Sequence, residues 1–203
     1  MSVVHVIDTL AEWARKNICE SVNLKMPPSN LDAIDEEYRY ETVKPSVFPM
    51  YVPTSEKLPP SIHSPFPSLC VRFIKGADDI AGSKGHLDVQ FCFSAWDPGT
   101  HGQDVFHPNG DMSYKKQGPV YTEYERNGNG WRDVWNFVDT ALRAVESVTN
   151  IGGYTIDRET PVEFGPLTEQ ESIPDFYPFW FAWLSFRVNY PLRRNIEEYQ
   201  QYL

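Results

Sequence analysis

Between residues 97 and 111 the chain strings together Asp97, His101, Asp104, His107 and Asp111. Imidazole and carboxylate are ligands that a divalent cation accepts, so metal chemistry could be assembled here. The spacing argues against it. Turn residues such as Pro98, Gly99 and Gly110 make the segment a loop, and a loop lacks the fixed three- or four-residue geometry with which a helix aims HExxH-type pairs. Exposed loop polarity is the simpler account, and no metal ligand is assigned. The other histidines, His5, His63 and His86, lie far apart in sequence. His86 opens a strand-like run, where an edge position accounts for it.

Other routes to catalysis are equally thin. Gly82-Ser83-Lys84-Gly85 lacks the G-x-S-x-G spacing of a nucleophile elbow. Cys92 alternates with Phe91 and Phe93 and reads as a reduced cysteine on the more polar side of a sheet. Gly99, Gly102 and Gly110 fit no phosphate-cradling motif. Glu36-Glu37 adjoin without an apolar pocket to perturb them, so acid/base work is unsupported. The expectation is a protein with no catalytic residue and no cofactor, not an enzyme.

Bulk composition narrows the partners. Eighteen Lys and Arg against 28 Asp and Glu give a net charge of −10, which disfavours a grip on phosphate backbones. Much of the excess is local, in the runs 29–41, with Asp32, Asp35, Glu36, Glu37 and Glu41, and 155–175. Such runs ordinarily form solvated faces. Three cysteines without a CxxC pair argue against a disulfide framework and for a reducing setting. Asp8, Glu12, Arg15 and Lys16 break up the first segment, so no leader peptide is expected, and no apolar run is long enough for a membrane span.

The elements that must position any site are marked out by proline. Of 17 prolines, nine fall between Pro27 and Pro67, three between Pro98 and Pro119, and five between Pro161 and Pro191. Regular structure is confined to the windows 1–26, 68–97, 120–160 and 179–190. Val3, Ile7, Leu10, Ala14 and Ile18 recur at helical steps. Residues 27–67 read as a stiff proline-rich arm with one short edge strand near Val47 and Phe48. Leu69, Val71 and Phe73, then Leu87, Val89, Phe91, Phe93 and Ala95, alternate as an antiparallel pair joined over Gly76 to Gly85.

Residues 97–129 form a polar excursion. Val105-Phe106 and Met112 to Tyr114 flank Asn109-Gly110, which predicts a protruding hairpin. Trp131, Val134, Trp135, Val138, Ala141, Leu142 and Val145 mark a second helix, stopped by Asn150 to Gly153. Short strands at 154–156 and 162–164 follow, then an acidic loop from Pro166 to Pro178. In the last strand Trp180, Ala182, Leu184, Phe186, Val188 and Tyr190 face one way and Phe179, Phe181 and Trp183 the other. Two apolar faces need two covers. Core filling accounts for Trp131, Trp135 and Trp180. Residues 191–203 read as a mobile or docking tail. The result is one α+β domain over 1–190, a mainly antiparallel sheet with two principal helices on one face.

This layout resembles the tail terminator (tail completion) proteins of long-tailed bacteriophages and related contractile particles. The likeness is carried by the amphipathic helix at 3–20, the strand Pro67-Ser68-Leu69-Cys70-Val71-Arg72-Phe73, the strand from Leu87 to Phe93, the helix start Gly130-Trp131-Arg132-Asp133-Val134-Trp135, and the aromatic strand from Phe179 to Val188. It is a pattern of elements across most of 1–190, and the arm 27–67 and excursion 97–129 go beyond the compact form.

The resemblance implies a virion protein made in the host cytoplasm. It would form a homohexameric ring that caps the head-proximal end of the tail tube, ends tube polymerisation and meets neck or connector proteins, with the sheath as a further contact. DNA would only pass through the lumen. Phe106, Met112, Tyr114, Phe179, Phe181 and Trp183 are the expected interface, and Glu36, Glu37 and Glu41 the expected lumen-facing acids. A neck or head–tail connector role is the alternative, followed by a metal-dependent enzyme using His101, Asp104 and His107. If the acids line the lumen, neutralising Glu36, Glu37 and Glu41 slows DNA ejection without preventing ring assembly; unchanged ejection kinetics would remove them from that role.

Overall fold

A computed structural model describes residues 3–27, 41–97, 130–168 and 176–192. Helix α1 spans Val3–Asn17, followed by a short 3-10 turn Cys19–Ser21. Next come strands β1 (Leu24–Lys25), β2 (Thr42–Val43) and β3 (Ser46–Pro49), then β4 (Ser68–Asp79) and β5 (Lys84–Trp96). Helix α2 is Trp131–Glu146, and β6 (Asn150–Ile151), β7 (Tyr154–Ile156), β8 (Glu163–Pro166) and β9 (Phe179–Pro191) complete the described chain. This is the expected α+β arrangement.

β1 and β2 pair with each other, and the other seven strands form one sheet in the order β3-β4-β5-β9-β7-β6, with β8 also on β9. β5 and β9 are antiparallel along their whole length, from Lys84 opposite Pro191 to Trp96 opposite Phe179. β4 flanks β5 antiparallel, and β3 is parallel to β4 at the edge. That edge is where Pro49 can be accommodated, since proline has no N–H to give a ladder.

The alternation read from β5 and β9 decides which face is buried. Leu87, Val89, Phe91, Phe93 and Ala95, with Ala182, Leu184, Phe186 and Val188, form one continuous core with Val6, Ile7, Leu10 and Ala14 of α1 and Val134, Phe137, Val138, Ala141 and Val145 of α2. Phe91 sits at its centre, edge-on to Phe186 at 5.1 Å and to Phe93 at 6.5 Å. Burying each such side chain contributes roughly 1.5–3 kcal/mol. Both helices therefore lie on one face of the sheet.

Four details differ from the sequence reading. The supposed connection Gly76 to Gly85 is largely strand, because β4 runs to Asp79 and the turn is only Ile80 to Ser83. A bulge at Ile74, between the pairs Phe73 with Val89 and Lys75 with Asp88, shifts the alternation by one and hides the strand from a periodicity count. His86 lies in an interior strand, flanked by Ala77 of β4 and Asn189 of β9, and not at an edge.

Val3 and Trp131 are 37% and 40% exposed, and Val6 and Phe137 take the expected core places. Val3 and Trp131 are the first residues of their helices and overhang the packed turns; Phe137 reaches Phe93, 5.0 Å away. Finally, α2 ends at Glu146 with Ser147 as its C-cap, the Ser147 N–H donating to the Arg143 carbonyl, so Asn150 to Gly153 does not stop the helix but forms β6 and the β6–β7 turn. Gly152 and Gly153 have φ of 55° and 91° there, a conformation that costs glycine little.

Candidate functional site

Where β5 ends and β9 begins, four segments converge at Asp97. Its N–H donates to the Pro178 carbonyl at 3.0 Å, extending the β5–β9 ladder by one bond. Its carbonyl accepts from Trp180 Nε1 at 2.8 Å. A Cβ on Gly130 would come within 2.1 Å of that carbonyl oxygen and 2.5 Å of Trp180 Nε1, so the approach of α2 to this corner requires glycine. The carboxylate is buried, and Lys25 from β1 places Nζ 2.6 Å from Asp97 Oδ1 and 3.9 Å from Asp133 Oδ2.

One half-buried lysine thus faces a buried carboxylate and a half-buried one. Burial, then the Asp97 charge, pushes the Asp133 carboxyl up to about 6, with Lys25 opposing. Burial and Asp97 also raise the Tyr177 hydroxyl. The arrangement favours a proton on Asp133 and ties β1, β5, α2 and β9 together.

Asp97 is therefore no exposed loop residue: it is 5% exposed. The short polar run after a buried tryptophan gave no sign of this, because the partner Lys25 is remote in sequence. His101, Asp104, His107 and Asp111 lie outside the described residues. Among the described residues no three His, Cys, Asp or Glu side chains are grouped to hold a metal.

Beside this corner lies the aromatic start of β9. Phe179, Phe181 and Trp183 are half-buried on the face opposite the helices. Phe66, at the end of the proline-rich arm, has its ring 5.1 Å from Phe179 and 6.0 Å from Phe181, while Phe176 is edge-on to Phe181 at 5.5 Å. Trp183 Nε1 donates to the Pro166 carbonyl at 3.0 Å. Part of the second cover that the sequence demanded is thus the arm itself. Phe106, Met112 and Tyr114, and the acids Glu36 and Glu37, fall outside the described residues; Glu41 is exposed just before β2.

Apolar surface remains at this end. Trp131, Leu167, Phe176 and Tyr177 are each 40–45% exposed, and Phe164 is 52% exposed. The sequence reading assigned Trp131 to the core and passed over the others. Phe176-Tyr177-Pro178, aromatic residues inside a proline-bounded loop, was the available signal.

Away from this end the same face is polar. Arg72 donates through Nε and Nη2 to Gln90 Oε1 at 2.9 and 2.6 Å. Arg187 Nε donates to Asp88 Oδ1 at 2.7 Å, and that hydrogen bond holds the Asp88 carboxyl below its ordinary range. The cysteines are free, and burial pushes the Cys19 and Cys70 thiols up to about 12 and about 11 and raises Cys92 as well. None is poised as a thiolate nucleophile.

The carboxyl cluster makes a signed prediction. A carboxyl that titrates higher folded than unfolded binds extra protons in the folded state, so stability declines as pH rises from about 4 to about 6. Asp133→Asn removes that charge, and is expected to raise stability above pH 7 by about 2–3 kcal/mol, to leave it nearly unchanged at pH 4, and to flatten the pH profile between. Denaturant melts across this range check it; a variant destabilised at pH 7 would contradict it. Compared with known proteins, the chain matches no protein-family model and no curated protein.

Proposed function

We propose that this protein is a structural virion component that caps the head-proximal end of a phage tail tube as a homohexameric ring, ends tube polymerisation and joins the tail to the neck. The observation that carries the reading is the element order on a single sheet. Among the described residues an N-terminal helix, an antiparallel hairpin, a second helix and an aromatic final strand follow one another, and both helices pack on one face. That is the layout that resembles the tail terminator family.

Two further features support it. A closed ring needs each subunit to offer unlike surfaces to its two neighbours, and the protein has an aromatic end with exposed Trp131, Phe164 and Phe176 and, farther along the sheet face opposite the helices, a polar stretch built on Arg72, Asp88 and Arg187. The net charge of −10 suits a passage through which DNA slides without sticking. The tail tube protein and neck or connector proteins are its axial partners in this reading, and it performs no catalysis.

A neck role is the nearest alternative, since the arm and the excursion exceed what a compact terminator uses. Electron micrographs of particles assembled without this protein separate the two. Termination predicts tubes of uncontrolled length; tails of normal length lacking heads would assign the neck role instead.

A further inference from the structure

Two of the three cysteines stand directly opposite each other. The register of β4 on β5 pairs Cys70 with Cys92, and every thiol of the chain is free. Leu69 and Val71 beside Cys70, and Phe91 and Phe93 beside Cys92, belong to the core under the helices. Alternation therefore puts Cys70 and Cys92 together on the other face of the sheet. Cys19 belongs to the core and lies on the helix side.

Backbone bonds fix what kind of pair this is. Ser46 and Met50 donate to the carbonyls of Pro67 and Val71, so these odd-numbered residues turn their main-chain groups to β3 and Cys70 turns its own to β5. At the two ends of β5, Asp97 donates to the Pro178 carbonyl and the Ser83 carbonyl accepts from Leu192. Odd-numbered residues of β5 therefore face β9, and Cys92 faces β4. Cys70 and Cys92 form a hydrogen-bonded cross-strand pair, whose Cα atoms stand about 5.5 Å apart. That lies inside the roughly 4.4–6.8 Å that a disulfide spans, and the Cβ atoms need to close by only about 1 Å. β4 has room to give, since β3 covers four of its residues and a bulge follows at Ile74.

The two sulfurs differ in their surroundings. Cys70 is 6% exposed, whereas Cys92 is half-buried. The Cys92 thiol donates at 3.5 Å to Gln90 Oε1, the oxygen that also accepts from Arg72. Burial raises this thiol, and the Arg72 guanidinium opposes the rise. Burial, then the Cys92 charge, pushes Cys70 up to about 11. Cys92 is thus the sulfur that meets a reagent first.

We propose that Cys70 and Cys92 are an oxidisable pair, which a small-molecule disulfide such as glutathione disulfide converts into an intramolecular bond across β4 and β5. The Cys92 thiolate attacks one sulfur of the reagent and expels a thiolate, leaving a mixed disulfide. The Cys70 thiolate then attacks the Cys92 sulfur and expels the second. One S–S bond forms as one breaks; the protein gives up two protons and two electrons, and the reagent leaves as two thiols. Because the strands must close up to form it, the bond is of the readily reduced kind, and free thiol reopens it. None of this rests on the tail-terminator reading.

Thiol counting on the folded full chain tests it. After glutathione disulfide at about pH 8, alkylation in denaturant should find one thiol in place of three. A digest should join Cys70 to Cys92 and leave Cys19 alkylated, and dithiothreitol should restore all three thiols. The rate should rise roughly tenfold per pH unit, following the thiolate fraction. Cys70→Ala should stop with one glutathione on Cys92, and Cys92→Ala should take up none; if either variant fails to fold, the count and the digest on the native sequence still decide. Three thiols persisting at about pH 9, a bond to Cys19 in the folded chain, or chains cross-linked through Cys92 would overturn the proposal.

Discussion

The antiparallel register of β5 against β9 is the constraint on which the rest depends. It aligns thirteen residues of each strand without a break. Through it Phe91 meets Leu184 and Val89 meets Phe186, which makes the apolar face continuous. The helices dock because that face exists; neither α1 nor α2 is long enough to be stable alone in water. The same register sets Asp88 opposite Arg187 on the other face. A slip of one residue would exchange the faces, exposing the phenylalanines and burying an ion pair.

Because the pairing runs the full length of both strands, it also fixes two unlike ends. At one end the ladder finishes at Trp96 and Phe179, and the chain is held there by Asp97, Lys25, Trp180 and the glycine at 130. A buried carboxylate is costly unless paired, and here the partner comes from a short strand remote in sequence. That corner therefore ties β1 and the start of α2 to the sheet, beside the exposed aromatic residues. At the other end the hairpin turn of β4 and β5 and the last residues of β9 lie together.

Much of this was legible in the residues themselves. Strict alternation in β5 and β9 marked both strands and their buried sides, and the helical stripes marked α1 and α2. The signal failed where geometry departs from a simple period. Ile74 adds one residue to β4, so the apolar alternation dies while the hydrogen-bonded ladder goes on. Trp131 matches the helical stripe but sits at the first residue of α2, beyond the sheet it would need to touch. Asp97 looked like the start of a polar loop, and only the fold brings Lys25 to it. The aromatic side chains at 179, 181 and 183 correctly announced a second face, but not that Phe66 would cover part of it.

In the proposed reading, a sheet with one core face and a partly covered aromatic end meets copies and neighbours through its surfaces. On this account the protein's work is done by its surfaces in an assembled particle. Cryo-electron microscopy of the junction between tail and neck tests that most directly. The account predicts six copies closed in a ring on the last layer of the tail tube, with the β5–β9 sheet recognisable in each. Finding the protein elsewhere in the particle, absent from it, or in a number that cannot close a sixfold ring would contradict it.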